Sequence, residues 1–430
     1  MVMAVWCLFL LLIALCRSFS PRYSGCMGPR VMRMAINDAR RSPPSLLENL
    51  SFDVPEALDN LFRPVKYLTE DSTRTKARYV IPMLLRVGYF LSQGVGLSVV
   101  GIDKPVAQNE EETMTQLDPQ AVIGALQDAL LADDVGALAQ PDDSFADQVA
   151  GSVRGTELQR SQFAKNFASI FQLLQREIEN IEKGEYRLPY DLDPLQATEN
   201  TLASRQWNPV HVASQLQTYV YDRRKVLDRR DRGDGLEVRR TFTSSKYPDY
   251  YLQNFHYQSD GWLSTRSARL YDYQVESLFL GTADAMRRQI LPEVRKFMVG
   301  KHPADVKVLD VAAGTGRFVS FLLDNYRDLD CTVSDLSPYY LQEAKTTLKR
   351  FSQVKYAEAA AEELPFEDES FDALTCVYLF HELPREVRKA ALHEFYRVLK
   401  PGGRLFFVDS AQKGEVPYDR VLKGFTIVAH

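Results

Sequence analysis

The hydrophobic pattern of the last third of the chain predicts short strands that alternate with helices. The apolar run Val306–Val311 predicts a strand that ends in a turn of small residues, and an amphipathic helix is predicted at Phe318–Leu323. A second apolar run, Cys331–Ser334, ends at Asp335, and a further buried strand is predicted at Ala373–Leu379. Strands alternating with helices favour an α/β fold built on a parallel sheet.

The end of this pattern predicts where the sheet stops. Apolar residues at helical spacing predict a helix at Arg385–Lys400, Pro401–Gly403 ends it, and Arg404–Asp409 is predicted as the fifth strand. Only residues 410–430 follow, with one short apolar stretch. We therefore expect five parallel strands, with the fifth at or near an edge. Either an amino-terminal domain covers that edge, or the sequence is an incomplete version of a longer protein.

The region between residues 50 and 187 has a different pattern, which predicts mainly helices. They are predicted at Pro55–Phe62, Arg78–Leu91, Pro119–Leu131 and Glu157–Lys183. No repeat and no candidate chemistry occur there. The predicted organisation is a leader at 1–40, a helical domain of unknown role at 50–187, a linker and helical segment at 188–246, a cap rich in Tyr, Phe and Trp at 247–300, and an α/β domain at 301–430.

The first 40 residues have the composition of a targeting leader. Residues 2–16 are uncharged and apolar, which is short for a membrane span and suits a signal-peptide core. Residues 17–37 carry arginines among serines and glycines without one acidic residue. This combination resembles the bipartite plastid leader of algae with secondary plastids. A plain signal peptide or a short membrane anchor is the alternative, and we expect no transmembrane anchor once the leader is removed.

Composition and charge exclude some classes of function. With 430 residues, of which 45% are hydrophobic, the chain can bury at least two cores. The net charge is −5, and the basic run at 223–232 is interleaved with aspartates, so it predicts a solvated helix rather than a nucleic-acid surface. Three of the five cysteines lie in the leader, so neither a disulfide framework nor an iron–sulfur cluster is expected.

The turn after the first strand is the candidate functional site. Ala312, Gly314 and Gly316 let the backbone approach a ligand, and Asp335 ends the neighbouring strand, where a carboxylate can accept hydrogen bonds from ribose hydroxyls. Val319 stands where a dinucleotide fingerprint needs a small residue, and the Gly-Lys-Ser/Thr ending of a phosphate-binding loop is absent. The two elements together predict a site for another nucleoside cofactor.

The spacing of Asp310, Ala312, Gly314 and Gly316 resembles motif I of class I S-adenosylmethionine-dependent methyltransferases. Downstream segments resemble the same family in the order it requires, and Leu-Lys-Pro-Gly-Gly before a strand is typical of its type 11 subgroup, which includes ubiquinone and menaquinone C-methyltransferases. The resemblance covers about Ser267–Ser410. It implies a Rossmann-like methyltransferase sheet, here expected to lack the last two strands, with S-adenosyl-L-methionine as cofactor.

The resemblance also implies a role for each motif residue at the methionine end of this cofactor. Asp310 would orient the amino group, through water. Ala312, Gly314 and Gly316 would let backbone amides reach the carboxylate. Because Ala312 replaces a glycine, we expect it to keep a negative φ.

At the nucleoside end, the resemblance implies that Asp335 binds the ribose and that Leu336 lies against the adenine. Ala361 and Glu362 would border the adenine edge. The family's usual Asp or Asn for the adenine amino group is replaced by Ala360, so that role passes to a neighbouring glutamate or to the backbone.

Two further positions carry open alternatives. His381 follows the fourth strand, and it either positions the acceptor or removes its proton as a neutral imidazole, or it caps the helix that follows. Tyr271, with Asp272, resembles a cap pair whose ring lies over the cofactor, and core packing is the alternative.

The predicted function is methyl transfer from S-adenosylmethionine to a small apolar or aromatic acceptor. The competing hypothesis is a binding or assembly protein that keeps the fold without turnover. We expect no nucleic-acid partner, and metal-ligand spacing is not apparent in the sequence, so no metal site is predicted.

Overall fold

The computed structural model describes residues 78–80, 82–83, 86–90, 93, 116–117, 153–154, 170, 172–192, 209–242 and 246–410. The chain divides into two compact units. The first comprises residues 1–100, 110–182 and 190–208, and the second comprises residues 101–109, 183–189 and 209–430.

The described part of the first unit is mainly helical. Helical residues at 78–80, 82–83 and 86–90, and at 172–182, agree with the predicted helices Arg78–Leu91 and Glu157–Lys183. Tyr79 Oη donates a 2.6 Å hydrogen bond to Glu177 Oε2 between these segments. The two-residue strands Gln116–Leu117 and Val153–Arg154 pair antiparallel. The leader and the helices predicted at Pro55–Phe62 and Pro119–Leu131 lie outside the described residues.

The second unit is built on a parallel sheet of five strands, which confirms the predicted fold class for this part of the chain. The strands are β1 (Lys307–Val311), β2 (Asp330–Asp335), β3 (Lys355–Glu358), β4 (Phe371–Val377) and β5 (Leu399–Val408). Among the described residues, their order across the sheet is β3-β2-β1-β4-β5, and the fifth strand lies at an edge of this set, as expected.

Eight helices accompany this sheet among the described residues. Two precede the cap, α1 (Pro209–Arg232) and α2 (Glu237–Thr241), and α3 (Thr265–Leu278) lies within it. Two short helices lead to the first strand, α4 (Ala283–Arg288) and α5 (Leu291–Met298). The remaining three connect strands: α6 (Arg317–Asn325), α7 (Pro338–Thr347) and α8 (Arg385–Val398).

The last strand begins earlier than the sequence predicts. Helix α8 ends at Val398 rather than Lys400, and β5 includes the Pro401–Gly403 segment expected to lie outside it. The β4–β5 register shifts between Phe371, opposite Leu399, and Ala373, opposite Arg404. An irregularity in the pairing absorbs the extra residues, a long-range effect that hydrophobic periodicity does not report.

Two apolar clusters hold the second unit together. One lies between the β1–β4 part of the sheet and helix α8, and Leu309, Leu374 and Phe395 are fully buried in it. The other lies in the cap, where the Phe255 and Trp262 rings stack with centroids 3.7 Å apart. Both clusters stabilise the elements that surround one cleft. Within the described ranges, no helix has the length and apolarity that crossing a membrane requires.

Candidate functional site

A cleft opens at the carboxyl ends of the central strands. The strand order reverses between β1 and β4, which is where ligands bind in open α/β sheets. The empty volume of the cleft, counted out to its open mouth, is ≈ 930 Å³. Its walls include the predicted residues Asp310, Ala312, Gly314, Asp335, Leu336 and Ala361. The sequence therefore locates most of the site, although Gly316, Glu362 and His381 are not in its wall.

The turn after β1 has a left-handed backbone at all three small residues. The φ angles are 56° at Ala312, 58° at Gly314 and 73° at Gly316. The expected negative φ at Ala312 is therefore wrong. Ala312 thus adopts the same left-handed conformation as the two glycines, although its Cβ makes this conformation sterically unfavourable.

The two glycines meet different surroundings. A Cβ on Gly314 would approach only Tyr340 Cδ1, at 4.0 Å, so the space beside it is open. A Cβ on Gly316 would lie 3.0 Å from Leu348 Cδ1 and 3.2 Å from the Ala344 Cβ. Gly316 therefore allows α6 to pack closely beside α7 and its end. The Cβ position of Gly316 therefore faces a helix. That its backbone amide reaches the cofactor stays a prediction.

Asp335 is fixed by backbone hydrogen bonds at the end of β2. Its Oδ2 accepts the Gly314 N–H at 2.8 Å, and its Oδ1 accepts the Ser337 N–H at 2.8 Å. Burial raises the pKa of Asp335 to about 6, although these backbone donors oppose the shift. Each carboxylate oxygen keeps lone-pair capacity for a further donor, as ribose recognition requires.

Asp310 lies deeper in the same wall. Thr375 Oγ1 donates a hydrogen bond to its Oδ1. Burial raises the pKa of Asp310 to about 7, with Thr375 lowering it and the nearby Asp335 charge raising it. A cationic ligand group would favour the ionised form of this carboxyl group.

The predicted adenine end is assembled from the loop after β3. Leu336, Ala360 and Ala361 lie in the cleft wall. Glu362 lies behind them, where its Oε1 accepts a 2.6 Å hydrogen bond from Tyr250 Oη. Its Oε2 is buried and has no hydrogen-bond partner among the described residues. A free acceptor thus lies next to the position where Ala360 replaces a polar residue.

The cap supplies an aromatic wall that the sequence predicts only in part. Tyr271, one of the predicted residues, lines the cleft and packs edge-on against Tyr340. Its neighbour Asp272 accepts a 2.9 Å hydrogen bond from Thr315 Oγ1 of the motif turn. Tyr250 and Trp262 extend the same wall. The clustering of Tyr, Phe and Trp at 247–273 was the available signal for these residues.

Arg287 is a cleft residue that the sequence analysis missed. Its Nη1 donates to Asp284 Oδ1 at 2.8 Å, and Asp284 also pairs with Arg317 at 2.5 Å. Burial disfavours the Arg287 charge, but Asp284 and Asp272 outweigh burial and raise its pKa. The cleft wall therefore contains a permanent cation. An arginine on a short helix far from motif I gives no local signal of this role.

His381 does not have the environment of a general base. Its Nδ1 lies 2.8 Å from Asp409 Oδ1, and its Nε2 lies 3.2 Å from Glu382 Oε1. Burial disfavours the charged ring, but the hydrogen bonds to Asp409 and Glu382 outweigh it and raise the pKa of His381 to about 10. Both ring nitrogens face carboxylates, so this environment does not favour the general-base role, which stays a prediction.

The alternative role predicted for His381, capping of the next helix, is not observed either. Helix α8 begins after Pro384, and no side chain accepts a hydrogen bond from its first turn. The His381 N–H instead donates to Asp409 at the end of β5, with a distance of 3.3 Å. His381 thus links the fourth and fifth strand ends.

Residues 308–403 match the family profile described as "Methyltransferase domain". The chain is 38% identical over 120 residues to the ubiquinone/menaquinone biosynthesis C-methyltransferase UbiE of Desulfotalea psychrophila, covering 27% of this chain and 47% of that protein. It is 32% identical over 166 residues to UbiE of Rhizobium leguminosarum bv. trifolii, covering 38% and 62%. The chain therefore spans less than two thirds of either relative.

Solved structures give matches of similar extent. A putative methyltransferase from Bacillus halodurans is 30% identical and covers 32% of this chain and 60% of that one, with a TM-score of 0.27. The profile match covers nearly all of the sheet and the motif turn of the cleft, but not the cap residues that also line the cleft.

Proposed function

We propose that this chain, which matches a methyltransferase-domain profile across residues 308–403, is a class I S-adenosylmethionine-dependent methyltransferase that transfers a methyl group to a small apolar or aromatic acceptor. The observation that carries the proposal is the composition of one cleft. The motif turn and Asp335 line it together with aromatic residues of the cap. The first set suits a nucleoside cofactor, and the second suits a flat, apolar acceptor.

Four structural observations support the fit of S-adenosylmethionine to this cleft. Space is open beside Gly314, where a methionine moiety would lie. Asp335 has lone pairs left for two ribose hydroxyls after its backbone contacts. Glu362 is not in the wall itself, but it binds the wall residue Tyr250 and keeps one buried oxygen without a partner among the described residues, which leaves an acceptor near the predicted adenine end. Arg287 and Asp310 line the same cleft and carry charges that suit the amino-acid end.

When bound, S-adenosylmethionine supplies a methyl group already activated on a sulfonium. The contribution left to the protein is proximity and alignment of the acceptor. Tyr271 has a pKa raised to about 12 by burial, and burial also raises that of Tyr250, so both hydroxyls stay protonated. Tyr271 is therefore available as a hydrogen-bond donor to an acceptor and not as a base, whereas the Tyr250 hydroxyl already donates its proton to Glu362.

The lining of the cleft supports a small apolar or aromatic acceptor. Tyr250, Trp262 and Tyr271 offer ring faces and edges on which an aromatic acceptor can stack. The proposed acceptor class rests on this aromatic lining.

Calorimetry with S-adenosylmethionine and its demethylated product tests the cofactor half of the proposal. We expect both ligands to bind, and Asp335→Ala to weaken binding by about 1.5–3 kcal/mol because a charged acceptor of two hydroxyls is lost. Asp335→Asn is the matched control, since it keeps one acceptor oxygen. If neither ligand binds at millimolar concentration, the proposal is contradicted.

The two motif glycines provide a second, paired test. Gly314→Val should abolish cofactor binding, because the branched side chain fills the open space beside the turn. Gly316→Ala should mainly lower the free energy of unfolding, by about 1–3 kcal/mol, because its methyl group meets Leu348 and Ala344. Urea unfolding and calorimetry on both variants separate the two effects. Equal loss of cofactor affinity without loss of stability at Gly316 would contradict its packing role.

Turnover is tested by comparing metabolites between a knockout and its parent, followed by transfer of a labelled methyl group to the accumulated compound. We expect a small apolar or aromatic compound to accumulate and to become labelled by the purified chain. Cofactor binding without labelling of any accumulated compound would favour the binding-protein alternative.

A further inference from the structure

A cluster of two histidines and two carboxylates lies outside the wall of the cleft. His256 belongs to the short 3-10 helix Phe255–Tyr257 of the cap, and His381 and Glu382 belong to another, Phe380–Glu382, after β4. His256 Nε2 lies 2.6 Å from Glu382 Oε1, although the two residues are 126 positions apart. His381 Nε2 lies 3.2 Å from the same oxygen.

We propose that His256, His381 and Glu382 bind a divalent transition-metal ion that links the cap to the ends of the central strands. One nitrogen of each histidine and one oxygen of Glu382 lie within 4.8 Å of one another. Two imidazoles and one carboxylate are a donor set that suits Zn²⁺ and Fe²⁺, with further coordination positions left for water or a ligand.

The partner of the other His381 nitrogen supports this proposal. Asp409 Oδ1 lies 2.8 Å from Nδ1, and Asp409 is held by the backbone N–H of Phe380, at 2.6 Å from its Oδ2. A carboxylate that accepts the Nδ1 proton fixes the tautomer whose Nε2 can bind a metal, an arrangement that metal-binding histidines commonly have. Asp409 is thus a positioning residue for the ligand His381.

The backbone of His256 provides a second observation. His256 and Tyr257 both have left-handed backbone, with φ angles of 52° and 59°. Such a pair of non-glycine residues persists only where the surroundings determine it, and Phe255, stacked on Trp262, fixes one side of the segment. The unusual backbone directs the His256 ring towards Glu382.

The distance from His381 Nε2 to Glu382 Oε1 matches that between ligand atoms around a tetrahedral ion, whereas the distance from His256 Nε2 to the same oxygen is shorter. With bonds of about 2.05 Å, neighbouring ligand atoms are about 3.3 Å apart. The His381–Glu382 separation of 3.2 Å meets this value, while the His256–Glu382 contact of 2.6 Å would have to open by about 0.7 Å. The side chains of His256 and His381 are 37% and 29% exposed, so an ion can enter from solvent.

The competing account is an ion-pair network in which protons take the place of the metal. The full chain, stripped with a chelator and titrated with Zn²⁺ in a calorimeter, distinguishes the two. We expect one ion per chain and an increase in melting temperature. His256→Ala, His381→Ala and Glu382→Gln should each abolish the site, and Asp409→Asn should weaken it about 10- to 100-fold.

His393→Ala is the matched control, because His393 is exposed on α8 and lies outside the cluster. It should leave zinc affinity unchanged. Co²⁺ added to the unsubstituted chain gives an independent measurement that requires no variant, and absorption bands of a low-coordinate site with nitrogen ligands are expected. Absence of stoichiometric Zn²⁺ and Co²⁺ binding, or equal affinity in Glu382→Gln and in the control, overturns the proposal and leaves the ion-pair network. Cofactor binding is measured separately and does not depend on this outcome.

Discussion

Three small residues in one turn perform three different tasks. Ala312 adopts a left-handed conformation that alanine disfavours, Gly314 leaves space for a ligand, and Gly316 leaves space for helix packing. Their sequence spacing predicts that all of them serve the cofactor, because spacing reports the turn and not what lies beside it. The role of each turn residue depends on what surrounds its Cβ position.

Replacing Ala312 by glycine should stabilise the fold slightly. Removal of the left-handed penalty gains about 1–2 kcal/mol, and the greater freedom of glycine in the unfolded chain offsets about 0.5–1 kcal/mol of it. Ala313→Gly is the matched control, because Ala313 does not have a positive φ, and it should lose about 0.5–1 kcal/mol. Urea unfolding measures both. The idea of strain at Ala312 fails if the two variants lose equal stability.

Asp310 should make stability depend on pH. Its folded pKa of about 7 is above the ordinary value of 3.8, so the folded state binds the proton more tightly than the unfolded state. This stabilising contribution is fully present below about pH 4 and is lost as the pH rises through 7. Asp310→Asn should flatten that part of the profile and raise the relative stability at pH 8 by about 2 kcal/mol.

Thermal unfolding between pH 4 and pH 8 measures this difference. Asp328→Asn, an exposed carboxylate, controls for the change in net charge. If Asp310→Asn and the control change the profile equally, burial does not raise the pKa of Asp310 as described. Calorimetry across the same range should show cofactor affinity falling as Asp310 and Asp335 become protonated.

At the scale of elements, the sequence predicts those strands and helices whose positions depend on residues nearby in the chain. The runs that became β1 and β2, and the face of α8, are local patterns, and the structure has them within about two residues of prediction. The contact of His381 with Asp409 was not predicted, because the two residues are 28 positions apart. The alignment of β5 was missed for the same reason, since a shifted register depends on pairing with β4.

Arg397 of α8 holds the loop that carries the predicted adenine contacts. Its guanidinium donates to the Leu364 and Phe366 carbonyl oxygens at 2.9 Å and 2.7 Å and pairs with Glu394. Arg397→Ala should lower stability by about 1–2 kcal/mol, since charged hydrogen bonds at a partly exposed site are lost. Cofactor affinity should fall several-fold, because the loop is no longer fixed.

Lys389→Ala on the same helix is the control for this element, because Lys389 makes only an exposed pair with Glu386 among the described contacts. It should change neither the stability nor the cofactor affinity measurably. Unchanged cofactor affinity in Arg397→Ala, measured by calorimetry, would show that the loop is positioned without α8.

At the scale of the molecule, the edge position of β5 has consequences for association. Leu405 and Phe407 on this strand are 38% and 39% exposed, and exposed apolar edge strands promote pairing with other chains. The expectation of five strands is met by the described residues. Residues 411–430, which the sequence analysis places after the edge strand, lie outside the described part of the chain.

The composition of residues 1–40 bears on the location of the whole molecule. We propose that residues 1–40 direct the chain to a plastid in two steps. An uncharged apolar segment at 2–16 suits membrane translocation, and the following stretch to residue 37 is basic and lacks acidic residues, as transit peptides do.

Fused to a fluorescent protein in an alga with secondary plastids, residues 1–40 should direct it into the plastid. Replacing the four arginines at 17, 22, 30 and 33 by glutamate should retain it in the secretory route, because the second step needs the basic stretch while the apolar core is intact. Secretion of the unsubstituted fusion would support a plain signal peptide, and retention in the membrane would support an anchor.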